Sequence, residues 1–299
     1  MDDATETAPD LTVDVQPFEL HASDGYLLGA TWFRPARASA SAPGSTVVVA
    51  PATGVPQGFY RAFAAHLAAH GHAVLTFDYR GIGRSRHGSL AGFRADYLDW
   101  AERDLGSVVA HAATRAPVAV VGHSFGGHAY GVLPQPELVR GLFTCGTGSG
   151  WHGFMPPRER PKVLFMWKVL GPSLTRAYGY LPSRLMGLGE DLPLGVYRQW
   201  RRWCTFPRYW FDDPEAAFTA RFDAVKTPVV ALNATDDAWA TPAAASAFMA
   251  GYRATSVALE VLEPRAAGLE RVGHMGYFRR AIGRVVWPRI LRWLDALGA

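Results

Sequence analysis

The sequence predicts an α/β domain: a mainly parallel central sheet flanked by helices, with an inserted helical cap. Three observations predict it. Short uncharged apolar runs alternate with amphipathic stretches, the pattern of buried strands joined by helices. One run, Val118-Ala119-Val120-Val121, passes straight into Gly122-His123-Ser124-Phe125-Gly126, which reads as strand, sharp turn and helix start. Residues 146–213 then break the alternation with 68 residues rich in Trp, Arg, Pro and Gly.

Residues 1–10 are polar and acidic and read as a disordered tail. Residues 18–22 and 27–34 flank Asp24-Gly25, a hairpin turn pair. An Ala/Ser/Pro/Gly linker at 36–45 precedes Thr-Val-Val-Val-Ala at 46–50, a buried strand. A helix over 59–70 ends at Gly71, and a further strand follows at 73–77. Over 96–115, Leu98, Ala101, Leu105, Val108, Val109 and Ala112 recur at helical spacing and share one face. Strands are expected at 139–144, 229–232 and 257–262, and an amphipathic helix at 287–297 closes the chain. The core is thus 11–145 plus 214–299, and the cap is 146–213.

Composition narrows the function classes. A chain of 299 residues holds one such domain plus an insertion. With 49% hydrophobic and 19% charged residues it can bury a large core. Net charge is +4, and no basic tract interleaves with aromatics, which argues against nucleic acid as a partner. The N-terminus lacks a basic-then-apolar leader and no apolar run reaches spanning length. The expectation is therefore a cytoplasmic protein without stable membrane insertion. Cys145 and Cys204 are the only cysteines and read as free thiols. The sequence carries no signal of oligomeric state.

Residues 146–213 hold five of the ten tryptophans, and ten basic against five acidic side chains. A structureless loop of that length is foreign to a compact domain, so several short helices are expected. Two readings stand for its side chains. The tryptophans line a pocket for an apolar acyl or aromatic group and the arginines hold a substrate carboxylate or phosphate, or the tryptophans pack the cap and the arginines face water. Contact of this basic, Trp-bearing surface with a membrane is a further reading.

The chemistry centres on Ser124. Glycines two before and two after it let neighbouring backbones approach, and its hydroxyl stands at a helix N-terminus. A serine needs a base, and the base needs an orienting group. Residues 230–242 read as a strand followed by a turn with adjacent acids, Asp236 and Asp237. Of the ten histidines only His274, in Gly273-His274-Met275-Gly276-Tyr277, lies downstream of them. His274 would take the Ser124 proton and pass it to the leaving group; the aspartate would hold the histidine's tautomer. The N–H of Phe125, the residue after the serine, is one expected oxyanion donor, and the loop at 51–60 should supply the second. A metal at His66, His70 and His72 is disfavoured, because no carboxylate or cysteine is near in sequence. Gly81 and Gly83 lack the third glycine of a dinucleotide loop.

Four motifs, the loop at 51–60, Asp78-Tyr-Arg-Gly-Ile-Gly-Arg-Ser85, the Ser124 turn and 273–277, carry a family resemblance. Over roughly residues 15–297 the chain resembles α/β-hydrolases of the serine aminopeptidase and monoacylglycerol-lipase-like group. The resemblance implies the α/β-hydrolase fold and the order Ser…Asp…His. It implies Asp237 as the acid, three after Ala234, which stands where relatives carry glycine; Asp236 is the reserve. It implies Thr53 as the second N–H donor, with Pro51-Ala52 replacing the usual His-Gly. Ser85 is then a turn residue. The implied function is a cofactor-independent serine hydrolase that cleaves carboxylic esters of a small acyl substrate, with no metal. An acyltransferase with the same triad is the alternative, ahead of a peptidase or a non-catalytic binding protein on the same scaffold.

Overall fold

β1 (Val13–His21) and β2 (Leu27–Pro35) pair as an antiparallel hairpin around the Asp24-Gly25 turn. The structure, a computed structural model, describes residues 13–36 and 46–298; the expected tail at 1–10 and nearly all of the linker lie outside these. β3 (Thr46–Ala50) has every residue buried. A 3₁₀ turn (Gln57–Tyr60) leads into α1 (Arg61–Ala69) and then β4 (Ala73–Phe77). α2 (Gly106–Ala113) follows a wider π-helical segment at Asp99–Leu105. The expected apolar face is inward, with Leu98 half-buried and the other five buried. Apolar spacing defines the face, while two helix types can present it. β5 (Val118–His123), also buried throughout, turns into the short α3 (Phe125–Ala129), and β6 (Val139–Cys145) follows.

Between β6 and β7 the chain forms short helices. They are α4 (Arg160–Phe165), α5 (Gly171–Tyr178) and α6 (Leu194–Trp203), linked by 3₁₀ and π turns. Trp167, Trp203 and Trp210 are buried there. Arg184, Arg202 and Arg208 pair with Glu190, Asp213 and Asp212. Most of the tryptophan content is thus packing, and these arginines are neutralised within the segment itself. β7 (Val229–Ala234) resumes the sheet, followed by α7 (Pro242–Met249), β8 (Val257–Leu262) and α8 (Arg280–Ala296). α7 was not anticipated, although Thr241-Pro242 is a helix-start signal: the Thr241 hydroxyl accepts from the Ala244 N–H. α8 begins seven residues before the expected start. Pro288 reads as a boundary in sequence, but Ile282, Val286, Ile290 and Leu294 form a buried stripe across it.

The eight strands run in the order β1-β2-β4-β3-β5-β6-β7-β8. From β4 through β8 every neighbour is parallel. Strands buried on both faces cannot alternate polar and apolar residues, so β3 and β5 read as unbroken apolar runs. Val48 and Val120 point into one core with Trp100, Leu105 and Val108. Val47, Val49 and Val121 point into the other with Phe63, Trp287 and Leu294. After β3 the chain goes to β4 on one side and later returns as β5 on the other. The carboxyl ends of β3 and β5 lie side by side, Ala50 opposite Gly122, so their loops open into one crevice, the usual ligand position in such sheets.

The Asp78–Ser85 loop is structural. The Ser85 hydroxyl is buried, donates to the Asp78 carbonyl (2.7 Å) and accepts from the Gly29 N–H (2.9 Å). Arg80 bonds Asp104 and Asp24. The His66 and His70 rings lie 4.3 Å apart, with His66 also against Trp287, so this face meets α8 as well as solvent. Among the described residues no helix is long and apolar enough to cross a membrane.

Candidate active site

Ser124 sits where β5 becomes α3, at φ +50° and ψ −110°. A non-glycine residue there is strained by about 1–3 kcal/mol. The turn is fixed from several sides. The Ser124 N–H donates to the Cys145 carbonyl (3.0 Å). Its own carbonyl accepts from the Gly127 N–H (3.0 Å) and the Thr147 hydroxyl (2.9 Å).

His274 Nε2 lies 3.1 Å from Ser124 Oγ, and its Nδ1 lies 2.9 Å and 3.1 Å from the two oxygens of Asp237. Asp237 is fully buried. Its Oδ1 accepts the N–H groups of Trp239 and Ala240, each at 3.0 Å, and Tyr277 donates to Oδ2 at 3.2 Å. Burial opposes ionisation, but the facing imidazole and these donors outweigh it and hold the carboxyl below its usual range. Asp236 does different work. Its two oxygens accept the N–H groups of Val272 and Gly273, both at 2.9 Å, and so pin the loop that carries His274.

Phe125 and Thr53 face the same crevice from α3 and the loop after β3. Neither N–H enters a loop, turn or cap hydrogen bond of the described chain. Tyr97 ties the two residues together: its ring stacks on Phe125 with centroids 4.0 Å apart, and its hydroxyl lies 2.5 Å from Thr53 Oγ1. The Thr53 hydroxyl is therefore engaged in fixing its loop.

Sequence reading missed a second link. The Ala52 N–H donates to the Tyr60 hydroxyl (2.8 Å), which is 2.9 Å from His123 Nδ1, and His123 Nε2 is 2.9 Å from the His274 carbonyl. The carbonyl can only accept, so Nε2 carries the proton and Nδ1 accepts from Tyr60. This neutral ring joins the loop after β3, the serine turn and the histidine loop.

His128, one helical turn after Ser124, donates from Nε2 to the Gly148 carbonyl (2.8 Å). Burial drives the pKa of both His123 and His128 down from 6.5 to about 3. The unfolded chain therefore takes up two protons below pH 6.5 that the folded chain refuses until about pH 3. Their contribution to stability is full above pH 6.5 and declines as pH falls. At about 1.4 kcal/mol per pH unit for each histidine, roughly 4 kcal/mol is lost between pH 6.5 and 5. The urea midpoint is expected to drop markedly over that range; a flat midpoint from pH 7.5 to 5 refutes the burial of neutral histidines.

A cavity of about 360 Å³ opens over Ser124 and His274. Its inner wall includes His128, Trp200, Cys204, Tyr209 and Trp239. Trp239 comes from the turn after β7, outside the Trp-rich segment. Arg279 lies at the rim, whereas none of the ten basic residues of 146–213 lines the cavity.

A model of the alpha/beta hydrolase family matches residues 47–286, and the chain belongs to that family. A soluble variant of monoglyceride lipase from Saccharomyces cerevisiae, solved with a substrate analogue, shares the fold at TM-score 0.68 and 15% identity, covering 97% of each chain. An esterase from Exiguobacterium antarcticum matches at TM-score 0.60 and 16% identity, covering 94% of this chain and all of its own. The Pyrococcus furiosus esterase Pf2001 matches at 0.58 and 15%, covering 98% and 96%. No curated protein matches the sequence. The chain is thus a hydrolase of the α/β type.

Proposed function

We propose that this protein is a serine hydrolase that cleaves carboxylic esters through an acyl-enzyme on Ser124. The observation that carries the reading is the continuous run of contacts from Ser124 Oγ through the His274 ring to Asp237, beneath an apolar cavity. His274 Nε2 takes the hydroxyl proton as Ser124 Oγ bonds to the ester carbonyl carbon. The carbonyl oxygen gains charge and is stabilised by the N–H groups of Phe125 and Thr53, which need no reorganisation because Tyr97 already holds both residues. The carbon–oxygen bond to the alcohol breaks, and His274 gives its proton to the departing oxygen. Water then attacks the acyl carbon, losing a proton to His274. The acid leaves, and the proton returns to Ser124.

Residues 146–213 serve as a cap in this reading. Leu188, Trp200, Cys204 and Tyr209 from that segment wall the cavity, which supports an apolar acyl group inside. p-Nitrophenyl esters test it directly. Butyrate to octanoate should be turned over, and kcat/KM should fall by about tenfold or more at palmitate, which outgrows a cavity of this size. No Ser124-dependent hydrolysis of any ester in the series would overturn the reading.

A further inference from the structure

The lining of the active-site cavity holds one cationic residue, Arg279, and no carboxylate. Arg279 is exposed and immediately precedes α8, whose first turn carries no acid. Its side chain enters none of the ion pairs or hydrogen bonds formed among the described residues. None of the arginines of 146–213 lines the cavity, and Arg184, Arg202 and Arg208 have carboxylates of their own.

The cavity is polarised in depth. Its inner wall has buried His128, Cys204 and Tyr209, while Gly187, Leu188, Gly189 and Arg279 at the rim are all exposed. An ester that places its apolar acyl group inside directs its alcohol portion toward the rim. His274, which in the proposed reaction gives that portion its proton, lies in the same loop, and Met275 continues the lining toward Arg279. A guanidinium at the cavity mouth that has no carboxylate partner can take an anionic oxygen group in a bidentate, charge-assisted pair. From this we infer, building on the esterase reading, that the substrate is an ester whose alcohol portion carries a carboxylate or phosphate, held by Arg279.

The test compares three butyrate esters: neutral 4-butyryloxybenzamide, 4-butyryloxybenzoate and 4-butyryloxyphenyl phosphate. The readout is the ratio of kcat/KM for each anionic ester to that for the amide, in wild type and in Arg279→Lys, Arg279→Gln and Arg279→Glu. Taking ratios cancels differences in intrinsic reactivity and in the amount of folded enzyme. The ratio should decline in that order and be about tenfold or more lower in Arg279→Glu, chiefly through KM. The benzoate and phosphate arms tell which anion is preferred. A ratio that moves less than about twofold in Arg279→Glu for both anions, while the amide is still hydrolysed, overturns the role of Arg279 and leaves the esterase reading standing. If wild type hydrolyses none of the three, the esterase reading falls, and this inference falls with it.

Discussion

Ser124→Ala is expected to lower kcat/KM for p-nitrophenyl butyrate by about 10⁴-fold or more and to abolish labelling by a fluorophosphonate. The size follows from how the site divides its work. In the proposed mechanism, removing the nucleophile ends the covalent route and leaves only substrate binding and the oxyanion donors, which by themselves give a small remnant over water. His274→Ala should cost a similar amount, and the double variant little more, because serine and histidine act as one unit. The folded state should survive. Ser124 holds its turn through its backbone N–H and carbonyl, and alanine keeps both. Circular dichroism and a thermal melt check this. Retention of more than about 1% of the activity, or of probe labelling, in correctly folded Ser124→Ala would remove Ser124 from the reaction.

How far the site could be read in advance depended on the range of the constraint behind each residue. The turn around Ser124 is local: an all-apolar strand, two glycines and a helix start lie within nine consecutive residues. The adjacent acids at 236 and 237 were visible, but not their division of labour. One backbone step turns Asp237 to the imidazole and Asp236 to the N–H groups of Val272 and Gly273. Nothing in the sequence around His123 marks its role. Its partners are Tyr60, 63 positions before it, and the His274 carbonyl, 151 positions after it. No local pattern encodes such a contact. Arg279 carries no local signal: it immediately precedes α8, which starts seven residues before the helix expected at 287–297, and only the fold brings it to the cavity of Ser124 and His274. The arginines of the Trp-rich segment stand out in the sequence, yet none of them lines the cavity, and Arg184, Arg202 and Arg208 are paired with carboxylates of that segment.

Gly126→Ala is expected to destabilise the protein by about 3 kcal/mol or more, which for a chain of this size is a fall in Tm of about 5 °C. The reason is steric. A Cβ on residue 126 would sit 2.0 Å from the carbonyl oxygen of Ala50 and 2.6 Å from its carbon. Both atoms belong to the backbone of β3, which is paired on each side, with β4 and β5. No side chain can swing away, so strand or helix must move. Gly122 is under the same pressure, its added Cβ falling 2.6 Å from the Gly127 N–H nitrogen. The two glycines of the serine motif are thus the condition for α3 to pack this close to β3 and β5. Gly58→Ala is the control: Gly58 is the exposed residue of the 3₁₀ turn, with nothing within 4 Å of an added Cβ, and its substitution should change stability by less than about 1 kcal/mol. Chemical denaturation of the two variants beside wild type decides the matter, and equal midpoints would refute the close approach. Any folded Gly126→Ala should also lose activity beyond its loss of stability. Moving Ala50 displaces the loop that carries Thr53, while moving α3 displaces Phe125, so the two proposed oxyanion donors are drawn apart by one methyl group.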